Sequence, residues 1–218
     1  LDHTLWDFDK NSKHTFKKIF NDNKINIDVD IFLTTYIPIN NDYWKLYREN
    51  NISKDKLRYG RLIDTFKALD RDVSTKIIHK LSDDYIKYLS SFNFLIDETI
   101  PILKYLDSKY KLHIITNGFH KTQHVKLKHA KIKQYFNLII TSEKTGLKKP
   151  NPEIFKQSLI LAKAKKEESI YIGDNLIIDI LACQKFGIDG IYFNPEKKTH
   201  TEDVAFEISC LSEIKQIL

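Results

Sequence analysis

The sequence predicts an α/β protein: a doubly wound parallel sheet with an all-helical domain inserted near the start of the chain. Three observations carry this. Between residues 11 and 92, apolar residues recur at helical spacing and no segment alternates as a strand does. From residue 93 onward, short β-branched runs alternate with helical segments, the pattern of helices packed on both faces of a parallel sheet. The run Ile170-Tyr171-Ile172 ends in Gly173-Asp174, which sets a carboxylate at the carboxyl end of a buried strand, where open α/β sheets bind their ligands.

Taken in order, Leu1-Asp2-His3-Thr4 reads as the last residues of a strand. Asn11 or Ser12 can then cap a helix carrying Phe16, Ile19 and Phe20. The segment 29–37 is apolar-rich, Tyr43, Trp44 and Tyr47 share a helical face, and Ser53 precedes Leu57, Ile63 and Phe66. Ser74 opens a segment with Ile77, Ile78, Leu81, Tyr85, Ile86 and Leu89 at helical spacing. The expected division is a core formed by residues 1–10 and 93–218, and a helical cap over residues 11–92.

In the core, a helix over residues 98–108 precedes the strand Leu112-His113-Ile114-Ile115-Thr116. A lysine-rich helix leads to Leu138-Ile139-Ile140-Thr141, and a helix over residues 152–164 leads to the strand at Ile170. The helix holding Ala182 and Cys183 ends at Gly187, a residue suited to a left-handed C-cap. Gly190-Ile191-Tyr192-Phe193 is the next strand, and residues 208–218 close the chain.

With 42% hydrophobic and 29% charged residues the chain has the composition of a globular protein, so disorder is not expected. The net charge of +6 raises nucleic-acid binding, but only Arg48, Arg58, Arg61 and Arg71 among the 35 basic residues are arginine, the side chain suited to bidentate base readout. The densest basic run, Lys126 to Lys133, reads as a solvated face. No apolar run is long enough to cross a bilayer. Neither nucleic acid nor a membrane is therefore an expected partner. Cys183 and Cys210 sit in no metal-ligand or redox spacing, and a reduced cytoplasm is expected. The absence of methionine and the opening on Leu1-Asp2 predict that this sequence starts inside the gene product.

Four segments carry chemistry. Asp2 ends the opening strand. Thr116-Asn117-Gly118 offers a hydroxyl and backbone amides where a strand meets a helix start, an anion site. Lys149 precedes Pro150-Asn151-Pro152, whose rings stiffen the loop and direct the lysine. Asp174 is followed by Asp179 about one helical turn later, and such a carboxylate pair suits a hard cation such as Mg2+. Each has a simpler role when taken alone: a turn, a cap, a surface lysine, a helix N-cap. Together they supply what phosphoryl transfer needs: a cation, donors for phosphate oxygens and a compensating positive charge.

In order and spacing, the four segments resemble the four motifs of the haloacid dehalogenase-like (HAD) hydrolase superfamily, across the whole chain. That family's first motif is Asp-x-Asp-x-Thr, of which Leu1-Asp2-His3-Thr4 shows the later part, so the nucleophilic aspartate is expected two positions before Asp2. The helical insertion resembles the C1-type cap of the subfamily that includes phosphoglycolate phosphatase. LDHTLWDFDKNS, NNDYWKLYREN and KLRYGRLIDTF most resemble its noncanonical pyrimidine 5′-nucleotidase branch.

The resemblance implies a Rossmann-like core and a magnesium-dependent phosphomonoesterase working through an aspartyl-phosphate. Asp2 would be the acid and base, with its backbone carbonyl on magnesium. Thr116, the amide of Asn117, Gly118 and Lys149 would hold the phosphoryl group, while Asp174 and Asp179 would serve the metal. Trp6 and Phe8, in the family's flap region, and Trp44 in the cap are candidate contacts to a nucleoside monophosphate, although an aromatic at helical spacing belongs first to a core. Two alternatives stand beside this: a phosphoglycolate or sugar-phosphate phosphatase on the same fold, and a non-catalytic phosphate or nucleotide binder. Haloalkanoate dehalogenation needs neither Asp2 nor a metal pair and is disfavoured.

Overall fold

A computed structural model describes residues 1–218. The chain divides into two compact units, one of Leu1–Asp7 with Asn93–Leu218 and the other of Phe8–Phe92. No helix is long and apolar enough to cross a membrane.

The Phe8–Phe92 unit consists of four helices, α1 (Phe8–Asp22), α2 (Val29–Arg48), α3 (Lys54–Ala68) and α4 (Thr75–Leu89). Side chains that accept from otherwise orphaned first-turn amides start three of them: Asp28 for α2, Ser53 for α3 and Ser74 for α4. The first helix starts earlier than expected. Asn11 and Ser12 lie inside it, buried, and Ser12 shares a 2.9 Å hydrogen bond with the Tyr85 hydroxyl. The interior is aromatic: Phe16 packs on Phe32 and Tyr85 with ring centroids 4.8 and 4.7 Å apart. Such rings each bury about 150–250 Å², which holds four short helices together. Arg61 is also buried there; its guanidinium bonds the Asn40 side-chain carbonyl at 2.7 Å and lies over the Tyr36 and Tyr85 rings.

The second unit holds α5 (Thr99–Asp107), β1 (Leu112–Thr116), α6 (His120–His129), β2 (Phe136–Thr141), α7 (Ser142–Thr145), α8 (Pro152–Ala162), β3 (Ile170–Gly173), α9 (Ala182–Phe186), β4 (Asp189–Phe193) and β5 (Phe206–Ile208). All ladders are parallel: β1 pairs with β2, and β3, β4 and β5 pair in that order. Gly187 ends α9 with a φ of 94°, a conformation a side chain would strain. The last eleven residues, expected as one closing segment, continue from β5 into a 3₁₀ turn over Leu211–Gln216.

The strands form two sheets, β1-β2 and β3-β4-β5, rather than one continuous sheet. Leu5 packs against the apolar groups of both, with Ile170, Ile172 and Ile191 on one side and Leu103, Ile114 and Leu127 on the other. The opening segment does not extend there but turns: the Leu5 and Trp6 amides both donate to the Leu1 carbonyl, and His3 has a φ of 59°. Asp2 and Thr4 are carried by this turn, while Thr116 and Asp174 come from the carboxyl ends of β1 and β3.

Candidate active site

The end of β1 is pinned by its own side chains. The Thr116 hydroxyl oxygen accepts from the Gly118 amide at 3.0 Å and from the Gln123 side-chain amide at 2.8 Å. Asn117 does not turn its side chain outward. It makes a reciprocal pair with the backbone of Lys149, both bonds 2.9 Å long, and so clips the lysine loop to the β1 loop. A Cβ on Gly118 would stand 2.3 Å from the Gln123 side-chain nitrogen, so glycine is required for Gln123 to lie where it does.

Lys149 is 9% exposed, and its ammonium donates to Asp179 Oδ1 at 2.5 Å and to the Tyr171 hydroxyl at 2.9 Å. Burial pulls its pKa down, but the Asp179 carboxylate beside it more than reverses this and holds it above the ordinary lysine value. The Tyr171 phenol is pushed up by burial and by the same carboxylate. Asp179 was expected on the metal, directly or from the second shell. It is 5% exposed, takes Lys149 and Tyr171 on Oδ1, and accepts the Asn175 amide on Oδ2 at 3.3 Å. Both oxygens are thus used within the protein. The physical reason is the tight turn after β3: a Cβ at Gly173 would meet Asp179 at 2.7 Å, so glycine lets that carboxylate fold back under the strand end toward Lys149.

Asp174 remains half-buried, with Oδ1 accepting the Thr4 hydroxyl at 2.7 Å. That bond fastens the opening segment to the end of β3. Asp2 lies in the same segment, with Oδ1 on the Lys126 ammonium at 2.6 Å and Oδ2 on the Gln123 amide at 2.8 Å. Burial pushes the Asp2 carboxyl up, but the Lys126 charge and these hydrogen bonds outweigh it, so it stays ionised below the usual carboxylate range.

Lys126 requires a correction. As the first lysine of the basic run it was expected on a solvated face, yet it is 2% exposed, with its ammonium 4.0 Å from the Trp6 ring centroid as well as on Asp2. Lys128, Lys131 and Lys133 of the same run are exposed. Trp6 is likewise not a ligand platform: at 0% exposure it is packed under Lys126. Phe8 opens α1, and Trp44 lies half-buried edge-on to Tyr47 in the helical unit.

Magnesium needs oxygen donors and keeps waters and substrate phosphate as further ligands, so one or two protein donors suffice. Asp174 supplies a carboxylate whose Oδ2 makes no bond within the protein, and the Asp2 carbonyl is close in sequence to Thr4, which touches Asp174. This donor set fits a hard cation, whereas both oxygens of Asp179 are already engaged by Lys149, Tyr171 and Asn175.

The profile of the family described as Haloacid dehalogenase-like hydrolase matches residues 1–193. The chain belongs to that family. Among its relatives, the HAD-hydrolase YfnB of Bacillus subtilis is 27% identical over 221 residues, covering 100% of this chain and 92% of YfnB. A crystal structure of YfnB, described as bound to magnesium, superposes with a TM-score of 0.90 over 100% of this chain and 95% of that one. The pyrimidine 5′-nucleotidase YjjG of Escherichia coli is 27% identical over 220 residues, covering 100% of this chain and 94% of YjjG. The pyrimidine 5′-nucleotidase PynA of Streptococcus pneumoniae is 29% identical, covering 93% of this chain and 85% of PynA. In HAD terms, Thr4, Gln123, Lys126 and Tyr171 are the site neighbours that sequence reasoning left without a role. Thr4 was visible as a motif position. Gln123 and Lys126 had only their i, i+3 spacing on one helix to show they share a face.

Proposed function

We propose that this HAD hydrolase is a magnesium-dependent phosphomonoesterase that acts on nucleoside 5′-monophosphates. The observation that carries the reading is the 2.7 Å bond from Thr4 to Asp174, which sets the segment bearing Asp2 against the end of β3. Thr116 is tied to the same segment, because Gln123 bonds both it and Asp2. The pyrimidine 5′-nucleotidases among the relatives support the choice of substrate class.

In this mechanism the aspartate expected two positions before Asp2 attacks phosphorus. The bond to the ester oxygen breaks, and the leaving alkoxide takes a proton from Asp2. In the second half, Asp2 accepts a proton from water as that water attacks phosphorus, releasing phosphate and the free aspartate. In the resting site Asp2 is ionised beside Lys126, which is the base form. A dianionic phosphate arriving next to it disfavours that charge and promotes uptake of the proton. Thr116 and the Asn117 amide hold phosphoryl oxygens. Lys149 offsets their charge while Asp179 and Tyr171 keep its ammonium in place. Asp174 and the Asp2 carbonyl would hold magnesium, which when bound stabilises negative charge on the transferred group.

Two measurements test this reading. In full-length protein, kcat/KM for a pyrimidine nucleoside monophosphate exceeds that for phosphoglycolate and for a hexose phosphate; a clear win for either small substrate removes the nucleotidase assignment and leaves a sugar-phosphate phosphatase. Asp174→Asn weakens magnesium affinity by at least the ~10–100-fold that even outer-shell substitutions cause, read both as activation and as the magnesium-dependent rise in Tm. Unchanged magnesium dependence takes Asp174 out of the site.

A further inference from the structure

We infer that Gln123 and Lys126 are positioning residues: Gln123 makes the Thr116 hydroxyl a donor aimed at the substrate, and the two together hold the Asp2 carboxylate in line. The inference rests on the phosphomonoesterase reading and adds to it two residues from α6.

A threonine hydroxyl has one hydrogen to give and two lone pairs. At Thr116 both lone pairs are taken, by the Gly118 amide at 3.0 Å and by Gln123 Nε2 at 2.8 Å. Its hydrogen is left to be donated. At the carboxyl end of β1, the partner it fits is an acceptor such as a phosphoryl oxygen. Without Gln123 the hydroxyl could rotate and spend its hydrogen elsewhere.

The second hydrogen of the same Gln123 amide goes to Asp2 Oδ2 at 2.8 Å. The amide has one sensible orientation, since the reverse would set Oε1 against both a carboxylate and a filled hydroxyl oxygen. In that orientation Oε1 is buried with no hydrogen-bond partner. A glutamine kept only for packing would not carry that penalty, and an apolar residue would avoid it. Gly118 provides the room, because any side chain there would strike Gln123.

Lys126 completes the grip on Asp2 Oδ1 at 2.6 Å. Its side chain is 3% exposed and that of Asp2 24%, so the ammonium lies behind the carboxylate and leaves one edge of Asp2 open. A pair placed this way orients Asp2 without occupying the space a leaving group needs.

The test uses full-length protein with Lys126→Met and Gln123→Leu, folding of each being checked by circular dichroism and thermal melting. Each variant is assayed on a nucleoside monophosphate, whose alkoxide leaves only with a proton, and on p-nitrophenyl phosphate, whose phenolate leaves without one. With Lys126→Met, kcat/KM for the nucleotide, which reports transfer to the enzyme and not the water step the two substrates share, falls by more than about tenfold, part of the ~10²–10⁴ that acid–base catalysis supplies, while kcat/KM for the aryl phosphate falls much less. With Gln123→Leu the same split appears, and inhibition by inorganic phosphate weakens for both substrates because Thr116 is no longer aimed. Equal losses in kcat/KM on the two substrates, or unchanged kinetics in a folded variant, overturn the inference. Failure of both variants to fold assigns the pair a purely structural role and also overturns it. Wild-type protein inactive on both phosphates removes the phosphomonoesterase reading itself, and the inference with it.

Discussion

Asp2→Asn in full-length protein lowers kcat for a nucleoside monophosphate by ~10²–10⁴, the range that positioned acid–base groups supply. Asparagine keeps the size of the side chain and an oxygen for Lys126, so the turn at the opening segment is retained. What it loses is the ability to carry a proton to the leaving oxygen and to take one from water. The substitution also has a pH signature in stability. The Asp2 carboxyl is held below its ordinary value of 3.8, so the stability it contributes is present above that pH and is lost as pH falls through its folded value. The gap between wild type and Asp2→Asn in urea denaturation therefore closes as pH drops below 3.8. A variant with wild-type kcat, or a gap that widens in acid, contradicts the assignment.

Lys149→Met destabilises the protein by about 3–5 kcal/mol, the usual effect of removing one partner from a buried ion pair. Lys149 and Asp179 are both largely buried, and the substitution leaves the Asp179 carboxylate facing a sulfur and a phenol. Activity is lost at the same time, since nothing then offsets the charge of the phosphoryl group. The two effects separate in the double variant Lys149→Met/Asp179→Leu, which removes both charges. Its denaturation midpoint recovers most of the loss, because well-packed apolar replacements of a buried pair are close to neutral, while hydrolysis stays absent. A single variant as stable as wild type shows that Asp179 does not depend on Lys149.

The residues that were legible in the sequence carry local marks. Thr116 and Asp174 close β-branched runs beside a glycine, and Lys149 stands directly before a Pro-x-Pro helix entry. The residues that were missed are defined by partners far along the chain. Lys126 meets Asp2 across 124 positions and Gln123 meets it across 121, and no local periodicity marks one lysine of a basic run as the buried one. Asp179 was read correctly as one turn beyond Asp174, but which of Lys149 and a metal it would face depends on how tightly the chain folds at Gly173. Trp6 looked available because it follows the first motif; its burial comes from the opening segment turning back so that Lys126 covers the ring. Among the strands, β2 starts at Phe136 rather than Leu138, since Phe136 pairs with Leu112 across an irregularity that an asparagine in the run conceals.

The mechanism requires a covalent intermediate. Full-length protein mixed with a nucleoside monophosphate and magnesium, quenched in acid within one turnover and digested for mass spectrometry, yields a phosphoryl adduct on the aspartate expected two positions before Asp2; with p-nitrophenyl phosphate, whose leaving group needs no proton, accumulation is greater in Asp2→Asn, which cannot activate water for the second step. Hydrolysis that proceeds with no adduct in either protein, or an adduct on any other residue, contradicts the mechanism.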